Sequence, residues 1–372
     1  MDDDIPYLLL TPGPLTTSRT VRRAMLRDYC TWDDEYNSLV SSIRRRLTAL
    51  ATPADGYTTT LMQGSGTFVV ESVVGSTIPA DGKLLVVDNG AYGRRIASIA
   101  ERLGVERVVL NVDETQTAPL QEIETAFRRD ATITHLAMVH CETTTGLLNP
   151  AAEVGRICQE FGKTYILDAM SSFGGVPLDM AEWNVDYLIS SANKCIQGAP
   201  GFGFAVARRD PLAACEGRAR SLSLDLYDQW REMEEKNGKW RYTSPTHVVR
   251  AFDQAMIELV DEGGVAARHQ RYCENQRRLR EGMVDMGFDC LIDAADQSPI
   301  ITAFYEPVDE RFTFARFYDE LKARRFVIYP GKVSLAATFR IGTIGHVFPA
   351  DVDELLAAIA AALSDMNLSL GR

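Results

Sequence analysis

The chain has 372 residues, 46% of them hydrophobic and 24% charged, with a formal net charge of −12. This is the composition of an ordinary water-soluble globular protein, long enough for two domains. The acidic balance argues against a nucleic-acid or anionic-membrane partner, and an anionic substrate must then be drawn in by a local cationic pocket.

Seven cysteines without a Cys-x-x-Cys pair suggest neither a disulfide framework nor a zinc site, and they fit a reducing, cytoplasmic compartment. The acidic start Met1-Asp-Asp-Asp4 lacks a basic segment followed by an apolar one, so no secretory signal is expected. No apolar run reaches the length of a membrane span.

Residues 6–19 begin apolar and become rich in turn formers. Pro12 and Pro14 around Gly13 forbid a helix, so this arm is expected to lie extended over another surface. Residues 36–51 and 66–76 read as helices, the second opened by Gly64-Ser-Gly66. Strand patterns at 84–87, 108–110, 136–139 and 165–167 then alternate with helical patterns at 91–103, 119–128 and 151–161, and further strands follow at 187–189 and 202–206. Such alternation, with strands apolar on both sides, predicts a mostly parallel sheet covered on both faces, with ligands at the carboxyl ends of the strands. After about residue 250 a long charged helix (251–287) leads to antiparallel-looking strands at 299–305, 326–329 and 338–341 and a closing helix at 351–364. The expected organisation is an arm (1–20), a large domain (21–250) and a smaller α+β domain (251–372).

Three segments carry chemistry. Lys194 lies in Ser190-Ser-Ala-Asn-Lys-Cys-Ile-Gln-Gly198, where small residues let a flat ring approach. Asp168 ends the apolar run Tyr165-Ile-Leu-Asp168, and Gly64-Ser-Gly-Thr67 opens a helix. An amine for an aldehyde, a carboxylate for a pyridinium nitrogen and a helix N-terminus for a phosphate are what pyridoxal 5′-phosphate (PLP) requires. Taken singly, each has a plainer reading: a surface lysine, a turn-capping aspartate, a glycine-rich helix cap. In this order they point to a PLP enzyme in which Lys194 bonds the cofactor and later moves a proton, a task that needs a lowered pKa.

Tyr92, after a strand, either stacks on the ring or is a core aromatic. Thr143, in Glu142-Thr-Thr-Thr-Gly146, either bonds the ring hydroxyl or belongs to a threonine-rich turn. Arg340, inside a strand pattern, needs a partner: a structural carboxylate, or a substrate carboxylate or phosphonate matching its planar fork. Gly198-Ala-Pro-Gly201-Phe-Gly203 precedes a strand and is read as backbone shaping. The five histidines are scattered, with no metal-ligand spacing and no Ser/His/Asp set, so no metal is expected.

The segments Tyr7–Ser18, Cys30–Asp34, Gln63–Gly66, Asn89–Gly93, Glu142–Gly146, Asp168–Gly175, Ser190–Gly198 and Thr243–His247 resemble the 2-aminoethylphosphonate–pyruvate transaminases, nearly end to end. These belong with the alanine– and serine–glyoxylate transaminases to the class V group of fold-type I PLP aminotransferases. The resemblance implies a large domain with a mostly parallel seven-stranded sheet and a smaller C-terminal α+β domain. It implies that Lys194 bonds the cofactor and Asp168 pairs the pyridinium. Ser65, Gly66 and Thr67 are implied to hold the phosphate, helped by Asn193, while Tyr92 stacks, Thr143 supports the ring hydroxyl and Arg340 binds the substrate acid, helped by the arm around Thr16 and Thr17. Thr243 is implied to reach the phosphate in a neighbouring subunit, making the protein a homodimer with sites at the interface. The implied substrates are 2-aminoethylphosphonate and pyruvate. Alternatives are an alanine– or serine–glyoxylate transaminase, a cysteine desulfurase-like lyase and a non-catalytic PLP-binding relative. One departure is Tyr242, where the family suggests phenylalanine.

Overall fold

The computed structural model describes residues 6–333 and 336–370. Seven strands form the central sheet in the order Tyr57–Gln63, Phe202–Arg208, Tyr187–Ser191, Thr164–Asp168, Ile133–Val139, Lys83–Asp88 and Glu106–Asn111. Only Phe202–Arg208 runs against its neighbours. The central strands are buried on both faces, and separate apolar layers of helix pack on each side, which is why these strands read as continuous apolar runs. The fold is the expected α/β class with a mostly parallel seven-stranded sheet.

The edge strand Tyr57–Gln63 has no counterpart in the sequence reading. Its run Thr58-Thr-Thr60 looks like a polar loop, but all three threonines are buried. Their β-branched stems suit a pleated surface, and two of the three hydroxyls find partners inside: Thr58 Oγ1 donates to Glu234 at 3.0 Å, and Thr59 Oγ1 lies 2.8 Å from Thr48 Oγ1, while the Thr60 hydroxyl is buried without one.

The long helix expected over 251–287 is two helices, Thr246–Asp261 and Gly264–Asp285. They break at Gly263 and Gly264, whose φ angles of +107° and +78° lie where other residues are strained. The second helix enters a separate core built on Phe288, Phe304, Phe317 and Phe339, under the antiparallel strands Ile301–Tyr305, Thr338–Gly342 and Tyr329–Pro330. Phe326–Val327, expected in that antiparallel set, instead pairs in parallel with Leu8–Leu9 of the arm. Leu8 and Leu10 are buried in this second core, so the extended arm is anchored before it turns toward the central sheet. The closing helix runs from Pro349 to Asp365, and Asp351 accepts a hydrogen bond from the Phe348 amide at 2.8 Å, satisfying its first turn. Among the described residues, no helix is long and apolar enough to cross a membrane.

Candidate active site

The carboxyl ends of the parallel strands converge on one pocket. Thr164–Asp168 ends on Asp168, Tyr187–Ser191 leads to Asn193 and Lys194, and Tyr57–Gln63 leads through Gly64 to the helix Gly66–Thr77. Ser65, Gly66, Thr67, Tyr92, Asp168, Asn193 and Lys194 all line this pocket. It is the crevice where strand ends leave room for a ligand in an open α/β sheet.

Asp168 is buried, and its Oδ1 accepts from the Met170 amide at 2.9 Å, so it does cap the following turn. Its Oδ2 accepts nothing among the described residues. Burial pushes the carboxyl up to about 6, against the pull of the Met170 amide and the charge of Lys194. Lys194 is set by the buried loop behind it, where Arg268 donates to the Cys195 carbonyl at 2.8 Å and is itself paired with Glu262 at 2.7 Å. Burial brings the Lys194 amine down to about 8, although the neighbouring carboxylate opposes that shift. An acid and a base driven toward each other's range by one dry site are suited to proton transfer near neutral pH.

Ser65 is the N-cap of the helix Gly66–Thr77 and makes no side-chain capping bond. The first-turn amides of Gly66 and Thr67 have no acceptor within the helix, and the helix dipole favours an anion there. Gly66 lies against Met170; a Cβ there would meet Met170 Sδ at 2.2 Å, so the cradle is filled on that side. Asn193 Oδ1 accepts from Ser191 Oγ at 3.1 Å.

Thr143 is fully buried. Its carbonyl accepts from Arg340 Nη1 at 2.7 Å, while its own Oγ1 is buried with no partner. Arg340 is also buried, and its Nε donates to the Pro330 carbonyl at 3.0 Å. Its partners are therefore backbone carbonyls; among the described residues it makes no ion pair, and its Nη2 takes no partner. With the Tyr329 ring centre 5.9 Å from the guanidinium carbon, Nη2 is the donor left for an acid group from outside the chain. Thr243 is exposed and does not line this pocket; its neighbour Tyr242 lies with Gly64 and Phe68 around an adjoining cavity, its ring 5.2 Å under the Arg241 guanidinium.

The structure adds residues the sequence reading did not single out. Arg95 lines the pocket, donates to Thr67 Oγ1 at 3.2 Å and lies 4.8 Å from the Tyr92 ring centre; its place three residues after Tyr92 on one helix was the available signal. Glu142 is a fully buried carboxyl, raised to about 7 by burial, accepting from the Tyr92 amide at 3.2 Å and the Thr144 amide at 3.1 Å. Lys332 places its ammonium 5.4 Å from the Tyr92 ring centre. Pro12 of the arm accepts a hydrogen bond from Lys194 Nζ at 2.5 Å. No group of three or more metal-ligating side chains occurs among the described residues.

The donor set fits PLP. A helix N-terminus without a side-chain cap, a buried carboxylate with a free oxygen and a buried amine line one crevice, and the unpartnered buried hydroxyl of Thr143 and the Arg340 guanidinium lie outside its lining.

Residues 25–315 match the family described as aminotransferase class-V. The 2-aminoethylphosphonate–pyruvate transaminase of Syntrophobacter fumaroxidans is 60% identical over 358 residues, covering 96% of each chain. The protein of that name from Vibrio vulnificus is 59% identical, covering 96% of this chain and 98% of its own. Among solved structures, the ureidoglycine–glyoxylate aminotransferase of Bacillus subtilis superposes with a TM-score of 0.89 at 22% identity, covering 98% of this chain and 95% of the other.

Proposed function

This chain belongs to the class-V aminotransferases, and from that premise we propose that it moves the amino group of 2-aminoethylphosphonate to pyruvate, giving phosphonoacetaldehyde and L-alanine. The observation that carries the reading is the buried Arg340, which makes no ion pair among the described residues and is held on the Thr143 carbonyl, next to the Glu142 carboxyl that accepts from the amide of Tyr92 in the Lys194 and Asp168 crevice. Relatives at about 60% identity across nearly the whole chain, named for this reaction, support it. The glyoxylate alternative rests on structural neighbours whose low identity speaks to the fold alone.

PLP, when bound, supplies an aldehyde for the amine and a ring that accepts electrons. Lys194 would hold the group through that aldehyde, and its Nζ would be the base that takes up and gives back a proton at the substrate carbon. Asp168 would accept a charge-assisted hydrogen bond from the protonated ring nitrogen through its free Oδ2. The amides of Gly66 and Thr67 with the Ser65 and Thr67 hydroxyls take the phosphate, with Asn193 beside them. Tyr92 covers the ring, and the free Thr143 Oγ1 receives the ring hydroxyl. Arg340 grips the acid of each substrate in turn, first a phosphonate, then a carboxylate.

The working protein is a homodimer in the cytosol. Phe68, Leu222 and Tyr242 are at least half exposed, an apolar surface that calls for a covering partner, and the exposed Thr243 beside Tyr242 would then serve the phosphate site of a second copy. Seven unpaired cysteines fit a reducing compartment.

The test is product identification with purified protein, supplying 2-aminoethylphosphonate, alanine or serine as donor and pyruvate or glyoxylate as acceptor. The expected outcome is alanine from 2-aminoethylphosphonate and pyruvate, at a higher kcat/KM than any pair with glyoxylate. Glycine formed from serine and glyoxylate at the higher kcat/KM would overturn the assignment and leave the fold untouched.

A further inference from the structure

The acid end of the pocket holds more positive charge than a carboxylate needs. Arg340 is buried there without a carboxylate partner. Two further cations flank the Tyr92 ring: the Arg95 guanidinium at 4.8 Å and the Lys332 ammonium at 5.4 Å from its centre. Arg95 is engaged with Thr67 Oγ1, on the side of the helix N-terminus. Lys332 has no ion pair and no hydrogen-bond acceptor among the described residues.

The backbone brings Lys332 to this place. Tyr329 lies opposite Arg340 in the antiparallel pair, and the Gly331 amide donates to the Thr338 carbonyl at 2.7 Å, so the segment ending at Lys332 runs alongside the strand that carries Arg340. Partial desolvation, Arg95 and Arg340 together hold the amine of the otherwise exposed Lys332 below its ordinary value, and Glu142 partly offsets this. Like charges gathered with only the Glu142 carboxyl in partial opposition, in a chain of net charge −12, make a local well for an anion.

We propose that Lys332 is the second cation for the phosphonate, selecting a doubly charged tetrahedral acid over a singly charged carboxylate while Arg340 grips both. The inference rests on the phosphonate reading of this site. Like a phosphate monoester, a phosphonate carries close to two charges above neutrality and three acceptor oxygens, whereas a carboxylate carries one charge and two oxygens. Arg340 offers a planar fork that either acid can take; a flexible lysine adds a point charge that only the dianion fully uses. Lys332 is exposed in this structure, so it stays hydrated when a carboxylate is bound and is drawn in when a phosphonate arrives.

The test uses holoenzyme and two dead-end analogues that lack the amine, ethylphosphonate and propionate, with affinity measured by calorimetry at about pH 9, because an alkylphosphonate gives up its second proton at a higher pH than a phosphate ester. For Lys332→Met the expectation is about tenfold weaker ethylphosphonate binding with propionate held within about twofold, and for Lys332→Arg most of the ethylphosphonate affinity is kept. Equal weakening of both analogues, or of neither, overturns the role of Lys332. If 2-aminoethylphosphonate turns over normally while the Lys332→Met result is flat, only this inference falls. If wild-type protein neither binds ethylphosphonate nor uses 2-aminoethylphosphonate, the functional reading falls with it.

Discussion

Lys194 Nζ donates a hydrogen bond of 2.5 Å to the carbonyl of Pro12, a residue of the N-terminal arm 182 positions earlier in the chain. The arm is held at its other end by Leu8 and Leu10 in the C-terminal core, so it links that core to the amine at the centre of the site. Gly13 makes the approach possible: its φ is +122°, and a Cβ there would meet Lys194 Nζ at 2.6 Å. Gly13→Ala should therefore displace the lysine and strain the backbone, at a cost of about 1–3 kcal/mol. The expected readings are a lower melting temperature and at least about tenfold slower transamination; wild-type values for both would remove the arm from the site's working parts.

The amine of Lys194 sits at about 8 instead of the ordinary 10.5. Below that value it is protonated and cannot attack an aldehyde. Capture of added PLP by cofactor-free protein should accelerate about tenfold per pH unit below the midpoint and level off above about pH 8. Stopped-flow absorbance against pH reads this directly; a rate still climbing steeply beyond pH 9.5 would mean an unperturbed lysine.

Much of this was legible in the sequence, for physical reasons that differ by residue. Lys194, Asp168 and Gly64-Ser-Gly66 were found because each closes or opens an element with strong apolar periodicity, and strand ends are where such a sheet leaves room for ligands. The strand Tyr57–Gln63 was hidden because buried threonines look like a loop until the partners of Thr58 and Thr59, Glu234 far along the chain and Thr48 on the preceding helix, are known. Lys332 and the Pro12 carbonyl were invisible for another reason: one is an ordinary polar residue in a turn, the other a backbone atom, and only tertiary packing brings them to the site. The split at Gly263-Gly264 was readable, since paired glycines cost a helix about 1 kcal/mol each, but the charged periodicity on both sides masked it.

Asp168 is a buried carboxyl raised from 3.8 to about 6. A group whose folded value lies above its unfolded one stabilises the fold below the unfolded value and loses that contribution as pH rises through the folded one. Above about pH 6 the cofactor-free protein thus carries an unpaid buried charge of about 1–3 kcal/mol. Asp168→Asn should raise the melting temperature of cofactor-free protein at pH 8 while weakening its hold on PLP. Differential scanning calorimetry with and without PLP checks both; a variant less stable without cofactor would contradict the assignment.

Arg340 uses Nε and Nη1 to fix itself on the Pro330 and Thr143 carbonyls and keeps Nη2 free. Arg340→Lys retains the charge but not the anchored fork. The expected loss in kcat/KM is about 10²-fold for both 2-aminoethylphosphonate and pyruvate, or about 2.7 kcal/mol. Near wild-type values for both would show that the acid groups bind elsewhere.

If Thr243 serves the site of a second copy, Lys194→Ala and Thr243→Ala proteins are each impaired, but their hybrid contains one complete site. Unfolding, mixing and refolding equal amounts should restore about a quarter of wild-type activity through hybrids with one intact site. Activity no greater than the average of the two separate variants would place Thr243 outside a shared site.

The most direct measurement is the first half of the reaction alone. Holoenzyme is mixed with 2-aminoethylphosphonate without a keto acid, and in parallel with L-alanine and L-serine, while the absorbance of the lysine-bound cofactor is followed. The account predicts rapid loss of that band with 2-aminoethylphosphonate, recovery on adding pyruvate, and slow or no loss with serine. Loss with serine but not with 2-aminoethylphosphonate, or no such band in the holoenzyme, would contradict it.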